Sequence, residues 1–189
     1  MYKFFGISAG LLTLGGFFPM GIETVRRQVR PSRATWLIWA VEAILIYKTF
    51  ATAVPNSSAL WIPLGFTVGA TVMFVLSLPF GEGGWATLDK FCLAGAGVTI
   101  LIWQFAGPVA GLLAGIATDV IGAVPTVVKT WRDPKSESHT QWWFWWLGAI
   151  ANLYAVSSWS LAEASYPIYG IVLTTTMVVV IQIRKRKRT

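Results

Sequence analysis

The stretch Gly122–Ile150, GAVPTVVKTWRDPKSESHTQWWFWWLGAI, joins a proline-containing apolar run, a short basic loop and a tryptophan-studded apolar run. The same pattern occurs earlier, at Gly16–Ile44, as GFFPMGIETVRRQVRPSRATWLIWAVEAI. A gapless shift of 106 positions pairs Gly16 with Gly122, Pro19 with Pro125, Thr24 with Thr130 and Arg26 with Arg132. It also pairs Ser32 with Ser138, Trp36 with Trp142, Trp39 with Trp145, Ala43 with Ala149 and Ile44 with Ile150. Apolar bias alone does not keep proline, arginine, serine and two tryptophans in step, so the pattern reads as an internal duplication.

The whole chain has the composition such a duplication needs in a membrane. Of its 189 residues 55% are hydrophobic and only 12% charged, against about 25% charged in an ordinary soluble domain. The mean hydropathy is +0.61. Eleven tryptophans suit a bilayer, where the indole settles at both interfaces. The net charge of +7 sits at the ends of apolar runs and not on one continuous face, which argues against nucleic acid as a partner. The expected partners are the lipid bilayer and a small-molecule solute, and association into a homo-oligomer is left open. Cys92, the one cysteine, lies inside an apolar run and reads as a small buried hydrophobe.

Measured against the roughly 20 apolar residues that a spanning helix requires, seven segments qualify: 4–25, 34–54, 60–80, 88–106, 108–130, 139–160 and 165–183. The first begins like a signal peptide, but it runs through Pro19 into an arginine cluster and belongs to the duplication, so it is expected to stay in the mature protein. Basic residues decide the orientation. RRQVRPSR joins segments one and two, KTWRDPKSESH joins five and six, and RKRKRT follows segment seven. With seven spans these fall on one side, the cytoplasmic one, while the alternate connections carry no Lys or Arg. The expected product is a multi-pass integral membrane protein of a bacterial inner membrane, with its N-terminus outside and its C-terminus in the cytoplasm. GEGGWATLDK, between segments three and four, is nearly neutral and reads as a flexible loop.

Two copies in the same orientation need an odd number of spans between equivalent points. Residues 1–80 therefore read as a first three-helix repeat, 81–107 as a linker helix and 108–189 as a second repeat with a basic tail. The fold class is all-α: seven transmembrane helices arranged as two parallel three-helix repeats, 3+1+3. The sequence resembles the SWEET and PQ-loop superfamily of small membrane transporters on this plan. The second copy carries the motif most clearly, in Pro125, Lys129, Trp131, Arg132, Lys135 and Ser138, followed by Leu147 and Gly148. The glutamine of that motif is Met20 in one copy and Thr126 in the other. The resemblance implies alternating access, with Pro19 and Pro125 as hinges. Taken alone, a helix-interior proline is equally a packing kink.

Glu42 and Asp119 are the least comfortable residues at membrane depth. Glu42 lies roughly 12 Å into its segment and Asp119 near the middle of its own. A carboxylate there costs at least about 2.5–3.5 kcal/mol, so it faces the bundle interior or a wet cavity. Two readings stand: a neutral acid hydrogen-bonded between helices, or a site that couples protons to a solute. Glu23 sits beside the arginine cluster and reads as one half of a rim salt bridge. Asn152 follows Trp145 by seven residues and Ala149 by three, a spacing that places it in a pocket beneath the rings or in an interhelical hydrogen bond. Trp142 and Trp145 match Trp36 and Trp39, and these four are the candidates for a paired aromatic pocket suited to a sugar, a flat ring or a cation. Trp143 and Trp146 are expected to turn outward.

No Gly-Lys phosphate loop, Cys or His cluster, or nucleophile with a base is present, so neither an enzyme, a metal site nor a cofactor is expected. The best reading is a secondary transporter or facilitator of an amino acid, sugar or vitamin-like solute, with proton coupling through the two acids. A non-transporting receptor or accessory protein of the same fold is the alternative. A polar-lined cavity favours the first, a sealed apolar interior the second.

Overall fold

The computed structural model describes residues 1–83, 87–134 and 137–186, with the side chains of 88, 89 and 186 left aside. Part of the GEGGWATLDK loop, Lys135 of the motif and the end of the basic tail lie outside these. Among the described residues the chain is all-helical. Seven helices follow one another: α1 Tyr2–Val25, α2 Arg33–Ala53, α3 Trp61–Phe80, α4 Thr87–Ala106, α5 Pro108–Arg132, α6 His139–Ala155 and α7 Leu161–Arg186. A 3-10 turn, Ser58–Leu60, leads into α3. By their described residues, five of these helices (α1, α2, α3 with its turn, α5 and α7) are long and apolar enough to cross a membrane. That agrees with a membrane protein, as does the exposure of Phe18, Phe91 and Phe105 on the outer surface.

Helix α6 is shorter than the expected segment 139–160. It stops at Ala155, and its 17 residues span only about 25 Å. The cause is local: after the Val156 amide, which still bonds the Leu153 carbonyl at 3.4 Å, those of Ser157 and Ser158 bond the carboxylate of Glu163 at 3.1 and 2.7 Å and not the preceding turn. The two ends of the tryptophan helices begin alike. Ser32 Oγ accepts the amide of Thr35 at the start of α2, and Ser138 Oγ accepts that of Gln141 at the start of α6. Between α4 and α5 only Gly107 intervenes. Its φ of +87° suits glycine alone, and Pro108 then occupies the first helical turn.

α3 packs against both α1 and α2, and α7 against both α5 and α6. Across the middle of the molecule α1 meets α6, and α2 meets α5. α4 lies on α5 and α2. The basic connections gather at one end. Arg33 donates to the carbonyls of Ser77 and Gly81, tying the start of α2 to the end of α3. Arg184 of α7 lies 5.2 Å over the ring of Trp131 in α5, and Lys129 pairs with Glu137 at 3.4 Å. Glu23 does not join this set: among the described residues no ion pair links it to the arginine cluster, and its backbone carbonyl instead accepts from Gln28 and Val29.

The opposite end is held by one carboxylate. Glu163 is 1% exposed and accepts from Ser57 Oγ at 2.6 Å as well as from Ser157 and Ser158. It thus fastens the α2–α3 turn to the α6–α7 turn. Two apolar clusters fill the space between the ends. One, around Phe17, Trp36, Met73, Trp142 and Ile181, lies towards the basic end. The other, around Ile46, Phe50, Leu112, Val156 and Tyr166, lies towards the Glu163 end.

Candidate functional site

Between the two clusters lies a cavity of about 100 Å³. α1, α2, α3, α5, α6 and α7 all contribute to its wall, and no described residue of α4 does. Each helix offers the face that its sequence pattern turns inward. Trp39, Glu42, Ala43 and Ile46 recur at three- and four-residue intervals along α2, and Trp142, Trp145 and Ala149 do so along α6.

The tryptophan pairs have one geometry in both places. The rings of Trp36 and Trp39 stand 5.0 Å apart at 75°, and those of Trp142 and Trp145 stand 5.1 Å apart at 80°. These edge-to-face arrangements are the preferred ones for aromatic pairs. Trp39, Trp142 and Trp145 line the cavity, while Trp36 is buried behind them against Phe17. Trp145 Nε1 donates to the carbonyl of Thr13 at 3.1 Å, which fixes its ring across the α1–α6 seam. Trp143 is exposed, and Trp146 donates to Thr175 on α7.

Glu42 and Asp119 both reach the cavity, from different helices. Asp119 Oδ2 accepts the Tyr169 hydroxyl at 2.6 Å. Glu42 is only 4% exposed, and neither of its oxygens has a hydrogen-bond partner. Buried polar atoms are normally paired, so two orphaned oxygens on one carboxyl require a reason. The rest of the wall is aromatic and aliphatic, apart from the hydroxyls of Thr126, Thr174 and the two tyrosines. Thr126 stands at the glutamine position of the motif.

The 106-residue shift exposes an asymmetry. It carries Glu42 to Gly148 and Asp119 to Thr13. Gly148 and Thr13 meet in the α1–α6 seam, where a Cβ on Gly148 would lie 3.2 Å from both Ala9 O and Thr13 Oγ1. One seam is therefore closed by small side chains. The corresponding α2–α5 seam carries both acids and opens on the cavity.

Asn152 is fully buried, also without a hydrogen-bond partner, but it does not line the cavity. It lies beyond Ala149 on α6, at the level where the Ile46–Tyr166 cluster closes the space. Pro19 and Pro125 lie inside α1 and α5 and do not line it either. Tyr166 and Tyr169 were not singled out from sequence, and neither was Glu163. For the two tyrosines the signal was present: YPIY places two hydroxyl-bearing rings three residues apart on one apolar segment. Compared with known protein families, no family model matches the chain, and no curated protein gives a significant match.

Proposed function

We propose that the chain is a secondary transporter or facilitator of a small polar solute, working by alternating access of two parallel three-helix repeats about a central site. The observation that carries this reading is the cavity itself. It sits where six helices meet, it excludes the one helix read as a linker, and it holds two acids, one without a partner. An acid at membrane depth is tolerable when neutral, paired or hydrated, and a solute or a proton exchanged through the cavity supplies that condition. A receptor with a sealed apolar interior has no need of Glu42 there.

The repeat arrangement is part of the same proposal. Its support is the packing: exchanging α1, α2 and α3 for α5, α6 and α7 turns each principal contact among these six helices into another one. α1 on α6 becomes α5 on α2, and the central position of α3 becomes that of α7. Equal serine caps and equal tryptophan pairs add to it. The resemblance to the SWEET and PQ-loop superfamily rests on this plan and on the Pro125–Ser138 motif. The N-terminus is placed outside and the C-terminus inside by the basic connections.

Purified protein in liposomes should take up or counterflow at least one solute from a panel of neutral and cationic metabolites, with saturation. A proton gradient should change the rate. Folded protein that moves none of them, with or without the gradient, would overturn the carrier reading and leave the cavity to a receptor.

A further inference from the structure

The walls of the cavity state more about its occupant than its position does. Glu42 presents two acceptor oxygens that nothing in the protein satisfies, although the residue is 96% covered. An occupant that satisfies them brings N–H or O–H donors, and one that carries positive charge does so most strongly. Trp39, Trp142 and Trp145 stand around the same space, and indole faces attract organic cations. Asp119, already bonded to Tyr169, adds a second negative or polar group. No Lys, Arg or His is among the described residues of the wall, so no positive charge there answers a carboxylate or phosphate on the solute, and the hydroxyls and indole N–H groups offer it only neutral donors. A metal ion is also poorly served: the described residues hold no cluster of three or more Asp, Glu, His or Cys, and the remaining wall is mainly rings and aliphatic groups. Size sets the last limit. At about 100 Å³ the cavity is smaller than the roughly 150 Å³ engineered site that admits benzene, which suits a solute of about four or five heavy atoms.

We infer that the cavity binds a small organic monocation that carries N–H donors and no anionic group, an amine and not an amino acid, with its nitrogen on Glu42 and its carbon skeleton against Trp39, Trp142 and Trp145. The inference deepens the carrier reading, since it uses the same cavity, but it concerns binding and is tested as binding.

The full chain in lipid nanodiscs is titrated with tert-butylammonium chloride, tert-butanol and glycine, which are equal in heavy-atom count and differ in charge. Tryptophan fluorescence is the readout, with empty nanodiscs and free tryptophan as controls. The ammonium ion should give a saturable change, and the neutral alcohol and the zwitterion should bind at least about tenfold more weakly. Glu42→Gln, which keeps the shape, should weaken the ammonium ion by about the same factor and leave the weak probes unchanged. No saturable response to tert-butylammonium, equal binding of glycine or tert-butanol, or unaltered binding by folded Glu42→Gln each overturns the inference. The wild-type comparison stands by itself if the variant fails to fold. Ammonium binding without any counterflow in liposomes would defeat the carrier reading and leave this one intact.

Discussion

Glu42 and Asp119 face one cavity, yet they differ in what surrounds them. Asp119 has the Tyr169 hydroxyl at 2.6 Å, whereas Glu42 has none. A buried polar group without partners destabilises the fold, and replacing it with an apolar one of similar shape removes that cost. Glu42→Met should therefore raise thermal stability, by about 1–3 kcal/mol, while abolishing solute uptake. A drop in the melting temperature would mean that Glu42 is a structural partner and not a ligand. Asp119→Asn keeps an acceptor for Tyr169 and loses only titration. It should fold at wild-type level and counterflow solute at a reduced rate, but show no response to an imposed proton gradient. If gradient-driven uptake matched wild type, any coupling would belong to Glu42 alone. Both acids were legible in the sequence because a charge at bilayer depth is conspicuous. Asn152 was not placed correctly, because helical spacing fixes a direction and not where along the axis a cavity ends. Here it ends at the level of Tyr166 and Ile46.

Among the elements, α6 shows most clearly what periodicity leaves out. The apolar run continues past Ala155, but the helix stops because Glu163, eight residues further on, captures the next amides. A carboxylate that accepts bonds from three serines is invisible to hydropathy. In sequence it is only one polar residue in a connection that carries no Lys or Arg. Removing it in Glu163→Ala leaves the Ser57 hydroxyl and two backbone amides without their acceptor in a buried place. The cost should be about 2–4 kcal/mol, read as lost thermal stability, against about 1 kcal/mol for Ser57→Ala. Equal and small effects would show that water replaces the carboxylate freely. At the other end of the bundle, Pro19 and Pro125 lie one turn or more inside α1 and α5. Substituting alanine restores a backbone bond in each helix. If the prolines are hinges, Pro19→Ala with Pro125→Ala should slow counterflow several-fold while the melting temperature rises. Unchanged transport with the same gain in stability would make them packing kinks.

At the scale of the molecule, the duplication, the gathering of basic connections and the excluded fourth helix all constrain one quantity, the number of crossings. Five helices satisfy the length and hydropathy of a span unaided. α6 is shorter, at 17 residues, and packs along α1 and α7, which do satisfy it, while α4 is as long as α3, at 20 residues, and lies on α5 and α2. A helix a few residues shorter than the hydrocarbon thickness is accommodated at modest cost, so all seven are expected to cross. The Glu163 end then lies opposite the basic end, and the orientation we propose turns the basic end to the cytoplasm. Single cysteines test this without fusing bulky reporters beside the Ser57–Glu163 contact. Asn56 is exposed in the α2–α3 turn, with φ +67°, where a cysteine costs only about 1 kcal/mol of backbone strain. Gln28 is exposed at the basic end, and the native Cys92 is buried, which keeps the background low. A membrane-impermeant maleimide applied to intact cells should label Asn56→Cys and spare Gln28→Cys until the membrane is opened. The reverse pattern would invert the orientation and leave the repeats intact. Labelling of both positions from outside would require an even number of crossings between residues 28 and 56, and would remove the parallel pairing of the two halves.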